Sequence, residues 1–123
     1  MLQRILVCDD ENVLRTLVRT CLTRRGFDVL EAPDGDAAVE KIRSEQPDLV
    51  LLDLMMPGRT GLEVLDAVQA DAALSEIPVL MLTARTHEAD QVAALGAGAR
   101  GFLPKPFTLA ELDAAVDNLL PPG

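Results

Sequence analysis

Apolar residues gather in five short runs, separated by stretches in which they recur every three or four positions. The runs predict strands over Arg4–Cys8, Asp28–Glu31, Leu49–Leu52, Val79–Leu82 and Gly101–Leu103. The third and fourth are apolar throughout, as parallel strands are when helices cover both faces of a sheet. The second and fifth have polar flanks, which marks them as edges or near-edges. Between the runs lie five helical patterns. Val13, Leu14, Leu17, Val18, Cys21 and Leu22 share one predicted packing face, and Gly26 ends that helix just after two arginines. A second helix is predicted from about Gly35 to Ser44, capped by Asp34 and stopped ahead of Pro47. A third opens on Thr60 with Glu63, a capping box. The fourth, from about Thr86 to Leu95, is rich in alanine. The fifth opens on a second capping box, Thr108 with Glu111, and presents Leu109, Leu112, Val116 and Leu119.

Strand and helix alternate with short links, so the expected fold is α/β: a (βα)5 unit with a parallel sheet between helices. No internal repeat interrupts it. Residues 1–120 read as one domain, and Pro121-Pro122-Gly123 as the start of a linker or a chain end.

Composition sharpens this. The 123 residues are 49% hydrophobic with Phe as the only aromatic, three in all, so the core must be aliphatic. Twenty acidic residues against eleven basic ones give a net charge of −9, which disfavours nucleic acid and anionic membranes as direct partners and suits a divalent cation. No apolar run approaches the ~20 residues of a membrane span and there is no signal-peptide pattern, so a cytoplasmic location is expected. Cys8 and Cys21 read as reduced, buried small hydrophobes.

Open parallel sheets bind ligands beyond the C-terminal ends of their strands. There the sequence puts Asp9 and Asp10, Asp53, Thr83-Ala84, and Lys105 just past Leu103-Pro104. Each has an ordinary reading when taken singly: the acids as helix caps, Thr83 as a turn residue, Lys105 as a surface cation. Their coincidence on one rim changes the picture, because three clustered carboxylates repel unless a cation offsets them. Oxygen ligands of this kind favour Mg²⁺ or Mn²⁺. The phosphate-cradling GxxxxGK[ST] loop is absent from the sequence, and the single histidine, His87, reads as a surface residue.

The acidic pair Asp9-Asp10, "LLDLMMPG" around Asp53, Thr83-Ala84 and "LPKPF" with Lys105 occur in an order and spacing that resembles a bacterial two-component response-regulator receiver domain, of the chemotaxis-regulator kind, from Ile5 to Leu120. The resemblance implies a flavodoxin-like, doubly wound three-layer sandwich with strand order 2-1-3-4-5. It implies that Asp53 accepts a phosphoryl group from a sensor histidine kinase or phosphotransfer protein and slowly loses it again. The chain would thus catalyse its own modification without being a conventional turnover enzyme. Asp10, Asp53 and the Met55 backbone carbonyl would hold Mg²⁺ directly, while Asp9 would hold a metal-bound water. Lys105 would pair with Asp53 and then a phosphoryl oxygen, Thr83 would donate its hydroxyl to another, and Lys105–Pro106 would be a cis peptide. Thr83 and Phe102 would form a switch that alters the face of helix 4, strand 5 and helix 5, read by a downstream effector domain or target protein.

This chain also departs from the family pattern. Phe102 stands where many relatives have Tyr, Ala84 leaves the site open, and Thr60 replaces a common acid. Arg100-Gly101 precedes Phe102, and "ELDAAVDNLL" contains no basic residue, so the dimer network of winged-helix regulators lacks its usual partners here. Two other functions compete: a phosphorylation-independent interaction module on the same fold, and a Mg²⁺-dependent phosphatase.

Overall fold

The computed structural model describes residues 2–84 and 88–120. Its elements in chain order are β1 Arg4–Cys8, α1 Asn12–Arg24, β2 Asp28–Ala32, α2 Gly35–Glu45, β3 Leu49–Asp53, α3 Gly61–Ala70, β4 Val79–Ala84, α4 Glu88–Gly96, β5 Gly101–Lys105 and α5 Leu109–Leu119. All five strands are parallel, in the order β2-β1-β3-β4-β5. This is the doubly wound arrangement expected, with β2 and β5 at the edges. The start of the fourth helix at Thr86, the surface placement of His87 and the reading of residues 121–123 fall outside the described residues.

The continuous apolar runs follow from the period of a strand. Alternate residues point to opposite faces, and here both faces are covered. Leu6, Cys8, Val50, Leu52, Val79 and Met81 pack toward α2, α3 and α4 with Val39, Ile42, Val64, Leu65 and Ala94. Ile5, Val7, Leu49, Leu51, Leu80 and Leu82 pack toward α1 and α5 with Val18, Leu22, Leu112 and Val116. Every residue of β3 is buried, so this strand is the rigid centre of the molecule.

The local signals act as read. Asp34 accepts a hydrogen bond from the Ala37 amide at 2.8 Å, and both capping boxes close reciprocally. Two helix faces need correction. In α1, Val13 is 85% exposed and Leu17 is also exposed, while Leu14, Val18 and Leu22 face the sheet. Cys21 is only half-buried, unlike fully buried Cys8. In α5, Leu109 is exposed, and Leu112, Val116 and Leu119 carry the packing. The cause is geometric: residues 14, 18 and 22 lie along one side of the helix, and 13 and 17 sit about 100° round from it.

Four strands also run one or two residues further than their apolar runs suggest, so Asp53, Thr83 and Lys105 are themselves strand residues. Ladder hydrogen bonding continues past the point where side chains turn polar, and that fixes the backbones of these three groups.

Candidate functional site

Order β2-β1-β3 reverses the direction of winding between β1 and β3, and a crevice opens at such a reversal. Asp9 and Asp10 follow β1 there, and Asp53 ends β3. Cys8 pairs with Leu52, so Asp9, one residue on, stands level with Asp53 on the neighbouring strand. The Asp9 amide continues the ladder by donating to the Ala32 carbonyl at 3.1 Å. Asp9 is fully buried, Asp53 is 6% exposed and Asp10 is exposed. One carboxylate oxygen from each of Asp9, Asp10 and Asp53 lies within 4.8 Å of the others.

Lys105 reaches this cluster from β5. Asp53 is level with Leu82 and hence with Leu103, so Lys105 stands two strands away and two residues higher. That is a gap of about 10 Å across the sheet, which only a long side chain can bridge. Its Nζ lies 2.9 Å from Asp9 Oδ2, 3.4 Å from Asp53 Oδ2 and 3.6 Å from Glu11 Oε1. The lysine therefore bridges the two buried carboxylates and is closer to Asp9 than to Asp53, the partner the family resemblance implied. Burial disfavours its charge, but its hydrogen bond to Asp9 and the charges of Asp53, Asp9 and Glu11 outweigh that and raise its pKa. The Lys105–Pro106 peptide bond is cis.

The remaining contacts hold the acids in place. Asp53 Oδ1 accepts from the Met55 amide at 3.2 Å, and Asp9 Oδ1 accepts from the Glu11 amide at 2.9 Å. Thr83 is buried on β4, one residue beyond the partner of Asp53. Ala84, next along, lines a cavity of about 280 Å³ with Asp10, Glu11, Asp53, Leu54, Met55 and Lys105. Phe102 is exposed on edge strand β5, so it is not a constitutively buried core residue in this conformation.

Two contributors escaped the sequence reading. Glu11 adds a further acid beside Lys105. Arg15, on the first turns of α1, donates to the Asp9 carbonyl at 2.6 Å, to Glu31 at 3.2 Å and to Asn12 at 2.7 Å. It ties the β1 turn to β2 and supplies positive charge behind the acids. Nothing about a single arginine one turn into a helix distinguishes it in sequence from a solvated surface cation.

Burial, followed by repulsion from Asp9, pushes the Asp53 carboxyl up from 3.8 to about 6, against the opposing pull of Lys105 and the Met55 amide. The donors fit a hard divalent cation: all are oxygens, two of the three carboxylates are buried, and one lysine cannot neutralise them all. A cation would remove the cost that keeps Asp53 protonated at mildly acidic pH.

This has a consequence for stability. Since the folded value exceeds the unfolded one, the folded protein holds the Asp53 proton more tightly, and stability falls as pH rises from about 4 to about 6. Above that window the penalty is complete. Asp53→Asn removes it, so in metal-free buffer above about pH 7 the variant should be more stable than the parent by about 2 kcal/mol. The difference should vanish below pH ~4. Urea denaturation at both pH values checks this, and equal stabilities at the higher pH would show that Asp53 ionises there without cost.

The chain matches the response regulator receiver domain family over residues 5–117. It is 43% identical over 120 residues to the phosphate regulon transcriptional regulatory protein PhoB of Klebsiella pneumoniae, covering 98% of this chain and 52% of that protein. It is 41% identical to the alkaline phosphatase synthesis transcriptional regulatory protein PhoP of Bacillus subtilis (strain 168), covering 98% of this chain and 49% of that one. It thus spans about half the length of these curated relatives. Among solved structures, the chemotaxis response regulator CheY4 of Vibrio cholerae superposes with a TM-score of 0.92 at 31% identity, covering 98% of this chain and all of that one. Among the described residues no helix is long and apolar enough to cross a membrane. With its strand order, its rim of acids and this family match over nearly its whole length, the chain belongs to the response regulator receiver domain family.

Proposed function

We propose that this chain is a phosphoacceptor: Asp53 takes a phosphoryl group from the phosphohistidine of a sensor kinase or phosphotransfer protein, in a Mg²⁺-dependent reaction. The observation that carries this reading is the meeting of Asp9, Asp10 and Asp53 within 4.8 Å, with Lys105 bridging Asp9 and Asp53. An Asp53 carboxylate oxygen attacks phosphorus, the P–N bond breaks, and the donor ring, cationic beforehand because its other nitrogen carries a proton, takes the bonding pair and leaves as neutral imidazole. The product is an acyl phosphate, which water later hydrolyses. Asp10, Asp53 and the Met55 carbonyl would hold Mg²⁺ (or Mn²⁺) directly and Asp9 would hold its water; the ion supplies positive charge against the phosphoryl oxygens. Lys105 supplies the other cation, exchanging part of its contact with Asp53 for a phosphoryl oxygen. Thr83 donates its hydroxyl to a further oxygen.

The readout follows from the new charge. As Thr83 draws toward the phosphoryl group, the Phe102 ring turns from its exposed position toward the space vacated, altering the face of α4, β5 and α5. A downstream effector or target protein reads that face; with its net charge of −9 this segment does not bind nucleic acid itself. Residues 1–120 act as the receiver unit. A dimer of the winged-helix kind does not suit α5, whose Asp113 and Asp117 are occupied within the chain by Arg25 at 3.1 and 2.5 Å. Arg100 pairs locally with Glu76 at 3.7 Å.

The test is incubation with acetyl phosphate, or with a phosphorylated histidine phosphotransfer protein, and intact-protein mass spectrometry. One added phosphoryl group is expected, labile to base and lost when EDTA is present from the start. No adduct with either donor at saturating Mg²⁺ would favour the interaction-module reading instead.

A further inference from the structure

The loop from Leu54 to Thr60 carries Met55, and its path is set from two sides. On the near side, Leu54 and Met56 are buried in the core, leaving Met55 between them 62% exposed over the crevice. The Gly61 amide donates to the Leu54 carbonyl at 2.8 Å and closes the neck of the loop. Gly61 is pressed against the end of β3: a Cβ there would come 2.5 Å from the Asp53 carbonyl oxygen and 2.8 Å from Leu54 Cα.

On the far side the loop rests on α2, an element with no group in the carboxylate cluster. Arg59 lies directly over Gly35, the first residue of that helix. A Cβ on Gly35 would collide with the Arg59 carbonyl oxygen and stand 2.6 Å from Arg59 Cβ and 2.8 Å from its carbonyl carbon. The contact is mostly with backbone, which cannot swing aside. Arg59 Nε also reaches Asp36 Oδ1 at 3.0 Å, and Gly58, at φ +76°, faces Asp36 Oδ2. Gly35 itself has no positive φ, so its backbone does not require glycine. In a helix glycine is the poorer choice by about 1 kcal/mol against alanine. Its presence is explained by the space that the Arg59 backbone occupies.

We propose that Gly35 is a positioning residue for the metal-binding loop. By admitting the Arg59 backbone onto the first turn of α2, it fixes the path of Leu54–Thr60 and with it the Met55 carbonyl relative to Asp10 and Asp53. This rests on the Mg²⁺ reading above. The Asp36–Arg59 ion pair is exposed and contributes little of the effect; steric seating contributes most of it.

The experiment is a Mg²⁺ titration followed by backbone amide NMR shifts, on the parent, Gly35→Ala and Gly96→Ala, with the metal-free melting midpoint of each. An added Cβ at Gly96 meets nothing within 4 Å, so that variant controls for the glycine-to-alanine change. Gly35→Ala is expected to bind Mg²⁺ about 10- to 100-fold more weakly, the range for groups that orient metal ligands. Gly96→Ala should match the parent. A Gly35→Ala protein with a lower midpoint but parental Mg²⁺ affinity would overturn the proposal, because a purely structural contact moves only the midpoint. Should Gly35→Ala not fold, Gly58→Ala strains the same loop from its own side. Weakened Mg²⁺ binding in that variant supports the proposal, and affinity within twofold of the parent overturns it. A parent that binds no Mg²⁺ sinks the functional reading as well, whereas parental binding with unaffected variants sinks this inference alone.

Discussion

The Asp53→Asn protein, incubated with acetyl phosphate and Mg²⁺, will carry no detectable phosphoryl group under conditions that label the parent. The loss should exceed about 100-fold, since the substitution removes the nucleophile and leaves only the environment around it. Asn keeps the shape of Asp and can still accept from the Met55 amide, but its amide lacks a charged oxygen to attack phosphorus. Unfolding cannot explain such a loss, because the same change should stabilise the metal-free protein at neutral pH by relieving the repulsion between buried carboxylates. The two outcomes of one substitution are thus opposite in sign. Stoichiometric, acid-stable labelling of Asp53→Asn would show that phosphate goes elsewhere.

Lys105→Met carries the second large effect. Methionine preserves length and apolar packing but takes away the lysine cation that bridges Asp9, which is fully buried, and Asp53. Removing one member of a buried ionic group leaves the other uncompensated, a change that costs roughly 3–5 kcal/mol for a fully buried pair. Lys105 retains some exposure, with 19% of its side chain accessible, so a loss of about 2–3 kcal/mol is expected in metal-free buffer at neutral pH. Mg²⁺ should recover much of it, and combining the change with Asp53→Asn should cost less than the two effects summed. The Asp53 carboxyl should also hold its proton to a higher pH than about 6, which ¹³C carboxyl NMR would register. Phosphorylation should be blunted while metal binding survives. A denaturation midpoint equal to the parent's would mean that the Lys105 contacts carry no net stabilisation.

Much of the fold is legible because both faces of the sheet are covered. Leu49–Leu52 and Val79–Leu82 are apolar without a break, and that marks β3 and β4 as strands covered on both faces. The caps are equally local: Asp34, Thr60 with Glu63, and Thr108 with Glu111 announce their helices in a few letters. Strand ends are less legible, since Asp53, Thr83 and Lys105 stop the apolar pattern while the backbone ladder goes on. Helix faces suffer from the one-way nature of hydrophobicity. Exposing Val13 or Leu109 carries little penalty, so an apolar letter does not declare its side. Spacing brought Asp9, Asp10, Asp53 and Lys105 to one rim. That the lysine would lean on Asp9, or that Arg15 would grip the Asp9 carbonyl, depends on three-dimensional reach across strands. The seating of Arg59 on Gly35 joins residues 24 positions apart through backbone contact, which leaves no side-chain signal to read.

The most direct measurement is chemical mapping of the modified residue in the wild-type protein. After acetyl phosphate and Mg²⁺ treatment, borohydride reduces an acyl phosphate to the alcohol, turning a modified aspartate into homoserine that peptide mass spectrometry can place. Homoserine at position 53, and nowhere without Mg²⁺, is the predicted result. Reduction mapping to another carboxylate, or a phosphorylated protein that yields no homoserine, would contradict a nucleophilic Asp53 in a cation-dependent pocket.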